Sequence, residues 1–328
     1  MSVEYLAQPR KYHSYHLLRA RLKPKTKEDY RRAVARFVHW CRHENRIIDT
    51  LPQLDSALLD YFEWCYRSRI SKQLAINTLS GVISFRPEAK GHLPYAADAL
   101  RGWQTIAPAV QRPPITWPVV CVVAVSMAKR VMSAATVGTL LAFDCFLRIN
   151  ELCGLRVSDV IDALTAATDR SWRHNLALRL RWTKTGENQS VPIIDPGVGH
   201  LLRQLVRCRQ RQGGDTRLIR LTASQYRYRF KQTCKVLGLD PAFTPHSLSH
   251  GGATHCYMKG MSIEDVQTRG RWESLKTCRR YVQTAQALIA STRVPQHLAE
   301  AGRVLATDPL QAIIMALPQR HTGVGRRE

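Results

Sequence analysis

Apolar residues recur at helical spacing along most of the chain. Tyr30, Ala33, Val34, Phe37, Val38 and Cys41 fall at i, i+3, i+4, i+7, i+8 and i+11, which makes one apolar stripe. Thr26 is the candidate cap of that helix, with Asp29 three residues on. Arg31, Arg32, Arg36, Arg42 and His43 occupy its other faces. A second helix is signalled by Leu58, Tyr61, Phe62 and Cys65, after Asp55 or Ser56 as cap. A third covers Lys72 to Phe85, with Ile76, Leu79, Val82 and Ile83 inward. Short helices with basic outer faces predict a small all-α domain ending near Ala109.

The stretch "AVQRPPITWP", with two consecutive prolines and a third four residues later, predicts a linker. Helix-like apolar segments then fill 117 to 147. After them the period changes. Leu176, Leu178, Leu180 and Trp182 alternate with Ala177, Arg179 and Arg181, which predicts a strand with a basic outer face. "TKTGENQ" is its turn and "SVPII" the returning strand, so Lys184 falls at or beside a hairpin tip. Helical patterns resume from about Val198 to Leu237 and from His246 to about Leu288. Beyond Ala285, "DPLQAIIMAL" is a further amphipathic candidate.

Composition narrows the function. In 328 residues, 49 Lys and Arg stand against 25 Asp and Glu, a formal charge of +24. A field of that sign favours polyanions, and nucleic acid is the commonest one inside cells. The length predicts two domains. Nine cysteines form no C-x-x-C pair and sit mostly in apolar stretches, as small core residues of a reducing compartment do. The first ten residues lack an apolar block, so no signal peptide is expected. The most apolar stretch is broken by Lys129, Arg130 and Asp144, which argues for a buried core rather than a membrane span.

Four stretches could carry chemistry. In "RINELCGLRVSDV", Arg148 and Glu151 can share a helix face beside Leu152 and Leu155; taken alone this is a helix-end salt bridge. Lys184 can present a compact proton donor to a phosphate, although most turn lysines are merely solvated. In "TPHSLSHGGAT", Pro245 suits a first helical turn whose free N–H groups favour an anion. His246 and His250, four apart, could also hold zinc, but Ser247, Leu248 and Ser249 between them supply no glutamate base and no third ligand. In "RGRWESLKTCRRYVQT", Tyr281 follows Trp272 by nine residues in a basic setting where a tyrosine can attack phosphorus. A lone tyrosine there would be a packing or DNA-contacting residue.

The order of these pieces changes their weight. R-x-x-E-L-x-x-L, a hairpin lysine followed by V-P-I, H-x-L-x-H-G-x-A-T, G-R-W and then a tyrosine together resemble the tyrosine recombinase (phage-integrase-like) family over residues 112 to 285. The form "GRWES…RRYV" is similar to recombinases of eukaryotic mobile elements. The resemblance implies a mainly α fold with a small β-hairpin or sheet, arranged as a two-domain C-shaped clamp. Its parts would be a basic arm (1–24), a helical core-binding domain (25–109), a linker (110–116), a catalytic domain (117–285) and a tail (286–328) that docks on a neighbouring protomer.

The implied activity is site-specific DNA cleavage and rejoining through a 3′-phosphotyrosine intermediate. Tyr281 would be the nucleophile, Arg148 a phosphate clamp, Lys184 the general acid toward the leaving 5′ oxygen and His246 a proton-transfer group. Trp272 would bond the phosphate or pack beside it, with Glu151 and His250 in support. Arg31, Arg32, Arg36, Lys72, Arg179, Arg181, Arg269, Arg271 and Arg279 are candidate DNA contacts. The implied partners are double-stranded DNA and three further protomers on two duplexes, with no cofactor or metal and an intracellular, in a eukaryote nuclear, location.

One position departs from the family pattern. Where the motif carries its second arginine this chain has Ser249, which supplies neither charge nor a bidentate fork. Loss of one such clamp costs about 10² to 10³ in rate by analogy with oxyanion donors. Three outcomes are open: an inactivating change, substitution by Arg269 or Arg271, or an inactive DNA-binding protein derived from a recombinase. A type IB topoisomerase is the nearest mechanistic neighbour.

Overall fold

The computed structural model describes residues 21–108, 112–163, 176–182, 187–213 and 215–317. It divides into two compact units, Met1–Val110 and Gln111–Glu328. Most of the basic arm, Lys184 and the last eleven residues lie outside the described residues.

Among the described residues the first unit holds four α-helices, α1 (Pro24–His43), α2 (Leu51–Arg67), α3 (Lys72–Phe85) and α4 (Pro94–Ile106). α1 starts two residues before Thr26, because Pro24 has the fixed φ and missing N–H that suit a first turn. α2 starts at Leu51 through a capping box: Gln53 N donates to Thr50 Oγ1 at 3.4 Å and Thr50 N to Gln53 Oε1 at 3.1 Å. Asp55, expected as a cap of α2, is buried and caps another helix. Its carboxylate accepts from Tyr95 N at 3.0 Å and Ala96 N at 2.9 Å, at the start of α4. The core centres on Phe37, Leu54, Leu58, Tyr61 and Phe62. Ile76 stays exposed, because Ala75, Thr78 and Val82 form the buried face of α3. Lys72 Nζ donates to Gln104 Oε1 at 2.6 Å and Ala107 O at 2.9 Å, which ties the start of α3 to the end of α4.

In the second unit α5 (Trp117–Lys129) and α6 (Ser133–Asp144) are apolar on nearly every face and buried on nearly every face. The short α7 (Ile149–Gly154) follows. Then β1 (Val160–Asp162), β2 (Leu176–Trp182) and β3 (Glu187–Pro192) form an antiparallel sheet in the order β1-β2-β3. Leu176, Leu178 and Leu180 of β2 face the core, as their alternation requires. β3 begins three residues before the expected "SVPII", with Trp182 opposite Glu187.

Five helices follow: α8 (Pro196–Gln210), α9 (Ala223–Val236), α10 (Pro245–Met258), α11 (Ile263–Gly270) and α12 (Leu275–Tyr281). α10 presses against α6. A Cβ at Gly252 would stand 2.0 Å from Phe143 O, so only glycine allows this approach. α13 (Thr284–Thr292), α14 (Gln296–Leu305) and α15 (Pro309–Ala316) close the described chain. α14 and α15 pack on α5 of the same unit, with Gly302 against Pro118 O and Ile313 fully buried. Among the described residues no helix is long and apolar enough to cross a membrane.

Candidate active site

The turn after α6 carries the first reactive group. Cys145 to Leu147 lead the chain toward α7 with Phe146 in the left-handed region at φ 51°, a conformation that costs about 1–2 kcal/mol for a residue with a side chain. Two arginines stabilise it. Arg269 Nε and Nη2 donate to Asp144 O at 3.1 and 2.6 Å, and its Nη1 donates to Pro192 O at 3.0 Å. Arg271 Nη1 donates to Cys145 O at 3.2 Å and Nη2 to Phe146 O at 3.4 Å. The carbonyls of Asp144, Cys145 and Phe146 lie at the end of α6, where helix carbonyls lack intrahelical partners.

Arg269 and Arg271 were expected on DNA or as replacements for the missing clamp. Both are instead 8% exposed and committed to this turn. Periodicity cannot reveal such burial, because the carbonyls of the turn that receive the two guanidinium groups lie 125 to 126 residues upstream, and Pro192 O lies 77 upstream.

Glu151, on α7, joins Arg271 to Arg148. Its Oε2 accepts from Arg148 N at 2.9 Å and lies 3.3 Å from Arg271 Nη2, while Oε1 accepts from Arg148 Nη1 at 2.8 Å. The Arg148 side chain keeps 21% exposure. Burial works against its charge, but Glu151 and then the Tyr281 hydroxyl outweigh it, and its pKa is raised.

His246 and His250 project from the first turns of α10 with ring centroids 4.5 Å apart at 89°. Tyr281, the last residue of α12, lies against both. Its ring is stacked on His250 at 4.3 Å and 12°, and meets His246 edge-on at 5.5 Å. Trp272 covers the tyrosine at 4.2 Å and stacks on Phe146 at 6.1 Å and 10°. Among the described residues its buried Nε1 has no hydrogen-bond partner.

Thr254 and Gln283 hold the tyrosine's backbone. Thr254 Oγ1 lies 3.1 Å from Tyr281 O and accepts from Gln283 N at 3.0 Å, and Gln283 Nε2 is 3.2 Å from His250 Nδ1. Gln283 escaped the sequence reading, although it stands two residues after the tyrosine.

Electrostatically the two histidines are neutral. Burial, then the charge of Arg112, then Arg148, lowers the pKa of His246. Burial and the neighbouring His246 push His250 down to about 3. The rings can therefore accept a proton or pack against tyrosine, and they carry no standing charge at pH 7. Ser249 is fully buried, and its hydroxyl donates to His246 O at 3.0 Å. Among the described residues no cluster of three His, Cys, Asp or Glu side chains surrounds this pair to hold a metal.

The remaining candidates lie elsewhere. Arg31 and Arg32 are exposed and paired with Glu28, and Arg36 and Arg279 are exposed. Arg179 and Arg181 line β2, held by Ser158 and Asp159. An exposed basic face on α9, with Arg227, Tyr228, Lys231 and Lys235, was not singled out from the sequence.

The phage integrase family model matches residues 123–287 of this chain, which span Arg148 through Tyr281. The chain belongs to the phage integrase family. It is thereby a tyrosine recombinase, an enzyme of DNA strand cleavage and rejoining. Solved structures agree on the fold. The Tn1549 transposon integrase in complex with transposon right end DNA has 15% identity and a TM-score of 0.60, covering 87% of this chain and 97% of that one. A lambda integrase dimer bound to a COC′ core site has 18% identity and a TM-score of 0.56, covering 86% and 77%. The lambda integrase tetramer bound to a Holliday junction gives the same values, 18% identity, a TM-score of 0.56 and 86% and 77% coverage. No curated protein sequence matches the chain.

Proposed function

We propose that this chain is a site-specific DNA recombinase of a mobile element, with Tyr281 as nucleophile. The convergence of Tyr281, His246, Trp272 and the Glu151-held Arg148 supports this reading most directly. In the proposed step the Tyr281 hydroxyl attacks a DNA phosphorus. A 3′-phosphotyrosine bond forms, the bond to the 5′ oxygen breaks, and that oxygen leaves as a hydroxyl after receiving a proton from Lys184. Neutral His246 is suited to take up the tyrosine's proton. Arg148 balances charge on the non-bridging oxygens, and the unpartnered Trp272 Nε1 is a further donor in reach of the tyrosine.

Because the phosphotyrosine bond conserves the energy of the broken link, a free 5′-hydroxyl on another strand can reverse the step. Double-stranded DNA is the proposed partner, and four protomers on two duplexes the proposed assembly, as in the lambda integrase tetramer on a Holliday junction. The mobile-element origin is read from the form "GRWES…RRYV". Ser249 contributes no charge to the phosphate, so turnover is slower than in a Ser249→Arg variant.

A nicked suicide duplex, randomised in sequence around the nick, tests the reading. A covalent protein–DNA band that Tyr281→Phe abolishes supports it. No band from either this chain or Ser249→Arg would leave a DNA-binding protein that has lost the reaction.

A further inference from the structure

The Tyr281 pocket has a charge deficit. A phosphoryl group in transfer carries negative charge on oxygens that need fixed cations or donors around them. Arg269 and Arg271 cannot supply these, because both guanidinium groups are buried and hold the turn after α6. Arg148 offers one partly exposed edge, and Ser249 offers a buried hydroxyl turned to a backbone carbonyl.

One further cation reaches the same place. Ahead of α5 the chain from Arg112 to Thr116 lies along the start of α10. Ile115 N donates to Ser247 O at 3.2 Å, and Ile115 O packs so closely on Gly251 that a Cβ there would stand 2.0 Å from it. Positions 247 and 251 thus form the stripe of α10 beneath this segment, and 246 and 250 form the adjoining stripe. Pro113 and Pro114 restrict the backbone between this anchor and Arg112. The result is an exposed arginine three residues from the Ile115 anchor on α10, near enough that its charge acts on both histidines. Among the described residues its guanidinium makes no hydrogen bond or ion pair.

We propose that Arg112 is the second phosphate clamp of this site, a catalytic residue supplied from the segment ahead of α5 in place of the arginine that Ser249 replaces. The proposal rests on the recombinase reading above. His246 is common to both positions: its Nδ1 is 3.4 Å from Ser249 Oγ, and the charge of Arg112 acts on it. A guanidinium arriving there can grip two phosphate oxygens as a fork, which a lysine or a serine cannot.

The test uses the full chain and the randomised nicked duplex, and compares wild type, Arg112→Gln, Arg112→Lys, Ser249→Arg and the double variant Arg112→Gln/Ser249→Arg. Adduct formation is timed at saturating DNA, and affinity is measured separately by gel shift. Arg112→Gln should slow adduct formation about 100-fold or more, the loss expected for one transition-state donor, with affinity changed less than about 10-fold, roughly the effect of a single phosphate contact at moderate salt. Arg112→Lys should recover part of the rate, and the double variant should recover most of it. Four results overturn the proposal while leaving the recombinase reading in place: Arg112→Gln as fast as wild type; Arg112→Gln slow only through lost affinity; no recovery in the double variant; or adduct from Ser249→Arg but none from wild type. No adduct from any of the five proteins overturns the recombinase reading itself, and this proposal with it.

Discussion

Arg271 shows how little of a residue's role its charge reveals. Basic flanks around a tyrosine suggest a surface for DNA, yet this guanidinium is buried against Glu151 and the carbonyls of the turn that presents Arg148. Removing one partner of a buried pair leaves the other charge without compensation. Arg271→Ala should therefore destabilise the chain by about 3–5 kcal/mol, measured by urea unfolding, whereas exposed Arg279→Ala should change little. His250 makes a second prediction. It stays neutral in the folded chain down to about 3, while an unfolded chain protonates it below its ordinary 6.5. The unfolded state then binds more protons, so this contribution is complete above pH 6.5 and is lost as pH falls toward 3. Unfolding midpoints taken between pH 7 and 4.5 should fall more steeply for the native chain than for His250→Gln. Parallel slopes would contradict the assignment.

At the scale of elements, the helices and the β2–β3 hairpin were legible because each buries one face at its own period. Element starts were less legible. The carboxylate that looked like the cap of α2 crosses to α4, and a proline rather than Thr26 opens α1. The catalytic motif was readable as an ordered set of residue types. The turn after α6 and the path of Arg112 were not, because both depend on backbone carbonyls, which leave no trace in side-chain pattern. α10 supplies the test at this scale. Adjacent glycines inside a helix ordinarily weaken it, and alanine would gain about 0.5–1 kcal/mol. Here a Cβ at either Gly251 or Gly252 would stand 2.0 Å from a backbone oxygen of a neighbouring segment. Gly251→Ala and Gly252→Ala should each lower thermal stability, by about 1–3 kcal/mol as overpacking does. A gain in melting temperature would show that α10 lies farther from Ile115 and Phe143.

For the whole molecule, charge and site ask for the same partner. A chain of +24 binds duplex DNA largely by displacing counterions, so affinity should fall steeply with salt. The exposed face of α9 belongs to that account. Lys231→Ala and Arg227→Ala should each reduce the slope of log affinity against log salt by about 0.9, in gel shifts at several salt concentrations. The same variants should leave stability unchanged, since both side chains are exposed.

The central claim is that Tyr281 becomes covalently joined to DNA. The most direct measurement is to trap the adduct on the nicked duplex, digest protein and DNA, and identify the nucleotide-bearing peptide by mass spectrometry. The account predicts a single modified peptide containing Tyr281, linked through a 3′-phosphate, and none from Tyr281→Phe. A nucleotide linked to another residue, or a 5′-phosphate link, would contradict it.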